Sequence, residues 1–460
     1  MSRKMYVRSN IKLILSLLLA AAMLSWPAIY NGYPFIFPDT QGYLLPAIQL
    51  LETGWLSPAW SRPPFYGLAA LPIHMNWSLW PMVIIQALII SHFLFLTVRT
   101  VLGQIDHRAF LGVIFALAAL TSLPWHVATL IPDIFAPVLL LGIFLLAYPG
   151  HALKPWEQVY VLAITIAAAA FHLSHVALAA CLAGLTGVLW LSKGFTGQVS
   201  RNKAFITAIP FAMAIVSLVA VNHITRGTTA VASHSSLFLL SKYRSEVTQY
   251  LRENCHKESY ILCEYKDGLG SVLWGGDSLV AKVGANRLND EAKELVRKAF
   301  WSDPAAVVNS ALDASLKQLV TFWTGGWIYP LQGEGSDRGG GGLFAYFDRE
   351  HEDFLSSKQS TSALPFSIIR LLHTIVILAA APLFLLFLLR AYRRSDTSLI
   401  SLYVFILSGL VANAVICATL SGVVERYQSR LIWLVVFVCV IASFRLSAEL
   451  ANAVRSRNIA

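Results

Sequence analysis

Charged side chains are scarce in this chain. Asp, Glu, Lys and Arg make up 13% of its 460 residues, about half the roughly 25% of a soluble globular protein. The deficit is concentrated in long apolar stretches separated by short basic or Pro/Gly-rich connectors. Also lacking are a Walker or dinucleotide glycine motif, zinc-ligand spacing and a repeat array, which removes the usual signatures of nucleotide, metal-finger and solenoid proteins. Cysteine is rare, with five in all.

What is abundant is apolar sequence, 56% of the residues. A helix needs about 20 apolar residues to cross about 30 Å of hydrocarbon. Runs of this kind are expected at 13–30, 77–98, 110–123, 134–148, 159–171, 176–191, 205–221, 368–389, 399–420 and 431–444. The fold class is therefore an all-α polytopic membrane protein with about ten transmembrane helices. The first run is long and ends in Trp26, Pro27 and Tyr30 rather than in small residues. That favours a retained helix over a cleaved signal.

The net charge of +10 does not point to nucleic acid, because the basic residues flank the apolar runs. Connectors assigned to the cytoplasm carry Arg99, Arg108, Lys154, Lys193, Arg201, Lys203, Arg390, Arg393 and Arg394, and the tail adds Arg445, Arg455 and Arg457. Short connectors assigned to the outside hold only Arg62, Arg426 and Arg430. This bias predicts both termini inside. Residues 1–222 then form an N-terminal module of seven transmembrane helices. Within it, 31–76 is an aromatic first outside loop (Tyr33, Phe35, Phe37, Trp55, Trp60, Phe65, Tyr66), expected to lie along the interface. Residues 223–365, rich in mixed charge, are expected as a mostly α extracytoplasmic domain, with helical periodicity at 290–299 and 304–319 and a flexible glycine run at 339–342. Residues 366–460 supply three more spans.

Cys181, Cys417 and Cys439 fall in spans. Cys255 and Cys263 fall in the outside domain and are expected to pair if that side is oxidising; two free thiols are the alternative. Two acids stand at outside membrane ends. Asp39, in Phe37-Pro38-Asp39-Thr40-Gln41-Gly42-Tyr43, follows the first span, and Asp133, in Leu130-Ile131-Pro132-Asp133-Ile134-Phe135, opens the fourth. A carboxylate at that position could serve as a general base or as a helix N-cap. Arg62 and Arg426 stand at the same edge. Arginine suits phosphate through its fork of donors, but could also anchor at the interface or pair with Glu425. His172 and His175, in a short outside turn, could bind phosphate or a metal, or serve as polar turn residues. His74, His126 and His234 are also outside, with no spacing that singles them out.

Taken together, Asp39 after the first helix, Arg62-Pro63-Pro64-Phe65, Pro132-Asp133 opening the fourth span, and Arg426-Tyr427 before the last resemble the GT-C glycosyltransferases. Within that superfamily the chain looks most like the protein O-mannosyltransferase and aminoarabinose-transferase type. The motifs cover roughly residues 10–150, and the layout covers the rest. The resemblance implies an inner-membrane transferase moving a sugar from a polyprenyl-phosphate donor to an extracytoplasmic glycan, lipid or protein acceptor. It implies Asp39 and Asp133 as catalytic acids, and Arg62, Arg426, Tyr43 and Tyr427 as residues around the carrier phosphate. No cofactor is required, with a divalent metal as the open alternative. The chain departs from the family in having Thr40 where an acidic pair is usual, and in a soluble domain placed before the last three spans. A transporter or flippase of a lipid-linked precursor, or a non-catalytic scaffold, is the competing reading. Against transport stand the lack of an inverted repeat and the near absence of ionisable residues within the spans.

Overall fold

The computed structural model describes residues 3–57, 62–103, 106–148, 153–192, 199–273, 275–331 and 341–457. Trp60, Ser61, Lys193, and Gly339 and Gly340 of the glycine run lie outside them. The described residues are helical, and their only strand-like pairing is one bridge between Phe35 and Thr129.

In chain order the helices are α1 (Arg3–Leu24), α2 (Trp26–Asn31), α3 (Pro38–Thr53), α4 (Phe65–His74), α5 (Trp80–Leu102), α6 (His107–Leu120), α7 (Leu123–Ala128), α8 (Phe135–Ala147), α9 (Pro155–Ala170), α10 (Leu173–Leu191) and α11 (Arg201–Arg226). Then follow α12 (Ser235–Lys242), α13 (Arg244–Asn254), α14 (Leu279–Val283), α15 (Ala285–Ser302), α16 (Pro304–Val320), α17 (Gly341–Phe344), α18 (His351–Ser356), α19 (Phe366–Arg393), α20 (Thr397–Leu420) and α21 (Glu425–Arg457).

Each expected span coincides with a helix. Six of these, α5, α10, α11, α19, α20 and α21, are long and apolar enough to cross a membrane. The apolar stretch of α1, together with α6 and α8, is shorter. The chain is thus a helical membrane protein. Its exposed faces fit that setting: Ile375, Leu378, Leu385, Leu386 and Leu389 of α19 are each more than half exposed. At the centre sits α8, buried at every position, as expected of a helix that is apolar all round.

Segment 223–365 does not pack around one core. Residues from Leu237 to Ala299 form a small separate hydrophobic unit. Trp327, Leu343, Phe347 and Phe354 instead join the main membrane core. Polar contacts explain why. The buried Glu350 carboxylate accepts from Tyr33 Oη (2.7 Å), Ser78 Oγ (2.5 Å) and Leu79 N (3.0 Å). The Gln359 amide bonds both N and O of Ile36 (3.1 and 2.7 Å). The stretch before α19 is therefore laced onto the segments between α2 and α3 and between α4 and α5, because leaving these buried groups unpaired would cost about 1–3 kcal/mol each. In the small unit Cys255 and Cys263 are joined by a disulfide (Cα–Cα 5.7 Å).

Candidate active site

Asp39 stands in the first turn of α3, just after Pro38. The cap of this helix is made by Thr40, whose Oγ1 accepts from the Phe37 N–H (3.0 Å). The Asp39 carboxylate is thereby free to turn sideways, where it pairs with the Arg62 guanidinium. Two glycines make that approach possible. A Cβ on Gly67 of α4 would run into the Tyr43 carbonyl oxygen, so α3 and α4 meet only because Gly67 lacks one. A Cβ on Gly42 would sit 2.9 Å from Arg62 Cδ, so glycine there leaves the channel through which the arginine crosses α3.

Asp133 lies in the short 3₁₀ turn Pro132–Ile134 that leads into α8. Its Oδ1 accepts from Arg430 Nη1 at 2.8 Å, and its Oδ2 lies 3.5 Å from Arg426 Nη1. Arg426 and Arg430 are one turn apart at the start of α21 and so share a face. Arg426 Nη2 is also 4.0 Å from Asp39 Oδ2. One guanidinium therefore links the two acids, which belong to elements almost a hundred residues apart.

The cluster is buried to very different degrees. Asp133 and Arg430 are essentially sealed, with side-chain exposures of 2% and 0%, whereas Asp39 keeps 23%. Arg430 is engaged through both Nη groups, donating to Asp133, Asn413 Oδ1 (2.7 Å) and Ser174 Oγ (3.0 Å), while its Nε–H, like that of Arg426, has no partner among the described residues. Asn413 in turn donates to the Tyr427 carbonyl (2.7 Å), which locks the first turn of α21 against α20. Arg426 is different. Its Nη groups make only two long ion-pair contacts, and beside them lie the rings of Phe37 at 4.2 Å and Tyr427 at 5.4 Å. Among the described residues three guanidiniums face two carboxylates, leaving one net positive charge.

The expected site residues Asp39, Arg62, Asp133 and Arg426 thus converge. Tyr43 is buried beneath Arg62 (5.9 Å from its ring) and against Tyr66. Burial holds its phenol well above the ordinary range, so it remains a neutral O–H. Tyr427 lies against both Arg426 and Arg430. Glu425 makes no ion pair with Arg426; its carboxylate lies against Gly326. His172 and His175 act as turn residues: His172 Nδ1 accepts from the Ser174 N–H (3.1 Å), and His175 Nδ1 bonds the Ala168 carbonyl (2.8 Å). His126 stacks on Trp327 (4.5 Å) and bonds Ser429 (3.1 Å). His74 and His234 stand apart from the cluster, at Asn76 and Asn286.

Arg430 is the residue that sequence reasoning missed, having been placed in a connector. Its signal was the Arg-x-x-x-Arg spacing, which puts two cations on one helical face. Among the described residues the acids at this cluster, Asp39 and Asp133, are both paired with arginine, and no three His, Cys, Asp or Glu side chains converge as a ligand set. No family model, curated protein or solved structure matches this chain.

Proposed function

We propose that this protein is an extracytoplasmic glycosyltransferase of the GT-C kind, transferring a sugar from a polyprenyl-phosphate carrier to an envelope glycan, lipid or protein. On this reading the chain crosses the inner membrane ten times with both termini in the cytoplasm, and the cluster faces outward. The Lys/Arg bias of the connectors supports that orientation.

The observation that carries the proposal is the excess cation. A buried guanidinium with unfilled donors is costly unless something completes it. Arg426, 5% exposed and held only by contacts of 3.5 and 4.0 Å, has the fork and the spare charge for a phosphate. Arg62 flanks it from the other side of Asp39. In the reaction the acceptor O–H attacks the anomeric carbon while the C1–O bond to phosphate breaks. Asp39, the accessible acid, takes the hydroxyl proton, and the electron pair leaves on the carrier phosphate, neutralised by Arg426 and Arg62. Asp133 is too enclosed to meet an acceptor. Its role becomes positioning: it holds Arg426 and Arg430 in place. An apolar crevice of about 360 Å³ between α10 and α20, lined by Cys181, Leu182, Leu407, Ser408, Val411 and Ala412, supports a place for the prenyl chain. It lies on the same two helices that supply Ser174 and Asn413 to Arg430.

The test is mass spectrometry of envelope glycans and lipids from a deletion strain carrying either the wild-type gene or Asp39→Asn. The proposal expects one glycosylated species to vanish on deletion, return with wild type and stay absent with Asp39→Asn. Unchanged glycans and lipids on deletion would contradict it.

A further inference from the structure

Helix α16 shows an anomaly for a segment read as water-exposed. Val308, Leu312, Leu316 and Val320 recur every fourth residue and are 47%, 58%, 66% and 64% exposed. Four-residue spacing on a 3.6-residue helix keeps them on one slowly winding edge. The opposite face is accounted for. Val307, Ala314, Ser315 and Gln318 are buried where α16 packs along α20 and reaches the start of α21. Gln318 staples it there, donating to the Val424 carbonyl (2.9 Å) and accepting from the Val424 N–H (2.8 Å). Val424 lies in the α20–α21 connection, two residues before Arg426.

Three further features say what covers the exposed edge. First, α20 is one of the six helices able to cross a membrane. Its own outer residues Val411, Val415 and Leu420, with Val423 beyond, are 39–51% exposed, so the edge of α16 continues a surface that already faces lipid. Second, Asp313 and Lys317 form an i,i+4 pair at 2.7 Å, 63% and 65% exposed. By helical geometry they lie about 100° round from the centre of the apolar edge. Apolar and charged residues thus take separate sides of the exposed face, as in a helix lying in a membrane interface. Third, Trp301, just before the helix, is 69% exposed, and Trp is favoured at the headgroup level.

We infer that α16 is an interfacial helix: its Val308, Leu312, Leu316 and Val320 edge sits in the acyl–headgroup boundary of the bilayer, Asp313 and Lys317 face water, and the small helical unit is thereby fixed to the membrane surface beside the arginine cluster. The inference rests on α20 as a membrane helix and not on the transferase reading, so either can fail without the other.

Nitroxide labels placed one at a time at positions 308, 312, 313, 316 and 317 test it. The full-length protein carries Cys181→Ser to remove the exposed native thiol and is reconstituted in phosphatidylethanolamine/phosphatidylglycerol vesicles. Power saturation compares collisions with oxygen, which concentrates in lipid, and with a neutral water-soluble nickel chelate. The expected result is oxygen in several-fold excess over nickel at 308, 312 and 316, with the order reversed at 313 and 317. Nickel in excess at 308, 312 and 316 would overturn the inference in favour of a solvated helix. Low collision with both reagents at those positions would also overturn it, because protein, such as a second copy of the chain, would then cover the edge.

Discussion

Two ion networks in this molecule use similar parts to opposite ends. In the small unit, Lys298 Nζ meets Glu258 (2.8 Å) and Glu294 (3.0 Å) and all three remain solvent-accessible, with exposures of 27–47%. Tyr260 and Tyr250 complete it, bonding Glu294 and Glu258. Every member finds its partner inside the network. The second network, where α3 and the 3₁₀ turn Pro132–Ile134 meet the start of α21, is largely buried, carries a surplus positive charge among the described residues, and leaves Arg426 with long contacts only. A solvated network forms because it costs little, and it contributes little. A buried one that is unbalanced loses stability by its own construction. On the proposed function, the difference gives the first network a structural role and the second a ligand-holding one.

The largest effect should come from unbalancing the buried network further. Arg430→Met leaves Asp133 sealed with only the long contact to Arg426, and should cost about 3–5 kcal/mol, read as a large drop in melting temperature in detergent. Asp133→Leu combined with Arg430→Met should regain much of that. A single variant as stable as wild type would erase the distinction between the two networks.

Asp39→Asn comes next, and acts on activity instead. Loss of a general base typically lowers rate by about 10²- to 10⁴-fold. Because Asp39 is partly exposed, its melting temperature should stay close to wild type. A variant that transfers sugar normally would return Asp39 to a structural role.

Cys255→Ser with Cys263→Ser opens a loop of eight residues' separation, worth about 2–3 kcal/mol by loop closure. Hydrogen exchange should rise in α13 and α15 and stay unchanged in α8 and α21. Exchange spreading to the membrane helices would show that the two hydrophobic cores are not independent.

The smallest effect belongs to Lys298→Met, and its sign follows from the shifts. Hydrogen bonds from Lys298 hold the Glu258 and Glu294 carboxyls below their ordinary value. Groups depressed in the folded state stabilise it above the ordinary carboxylate pKa, about 4.3, and lose that contribution as pH falls through the folded value. The same bonds raise Lys298, so its share persists to the ordinary lysine range and is lost only as pH rises beyond it. The wild type should thus unfold slightly later than Lys298→Met at neutral pH, with the gap closing toward pH 3 and shrinking in high salt. A gap that persists there would mean the Lys298 stem acts through packing.

The helices were legible because apolar runs dictate them locally, and the expected spans all coincide with helices. Their ends were less so. The last helix was expected from residue 431, yet it begins at Glu425. Hydropathy treats Arg426 and Arg430 as reasons to stop, whereas the fold compensates them with Asp133 and Asn413, which are distant in sequence. Asp39 and Asp133 stood out by position alone. Whether they were caps was decided by Thr40, by Arg62 in the loop before α4 and by Arg430 of α21. The stretch 341–361 read as part of a soluble domain because it is polar, but Glu350 and Gln359 spend that polarity on Tyr33 and Ile36, between α2 and α3.

The central claim is that the buried surplus charge awaits a phosphate on a prenyl chain. Thermal unfolding of the purified protein with polyprenyl phosphate, against the same concentration of the neutral polyprenol, tests it most directly. Ligand at 100 times its Kd stabilises by about 2.7 kcal/mol. The account predicts a raised melting temperature with the phosphate lipid, little change with the alcohol, and loss of the difference in Arg426→Gln. Equal shifts with both lipids, or an Arg426→Gln variant that still distinguishes them, would contradict it.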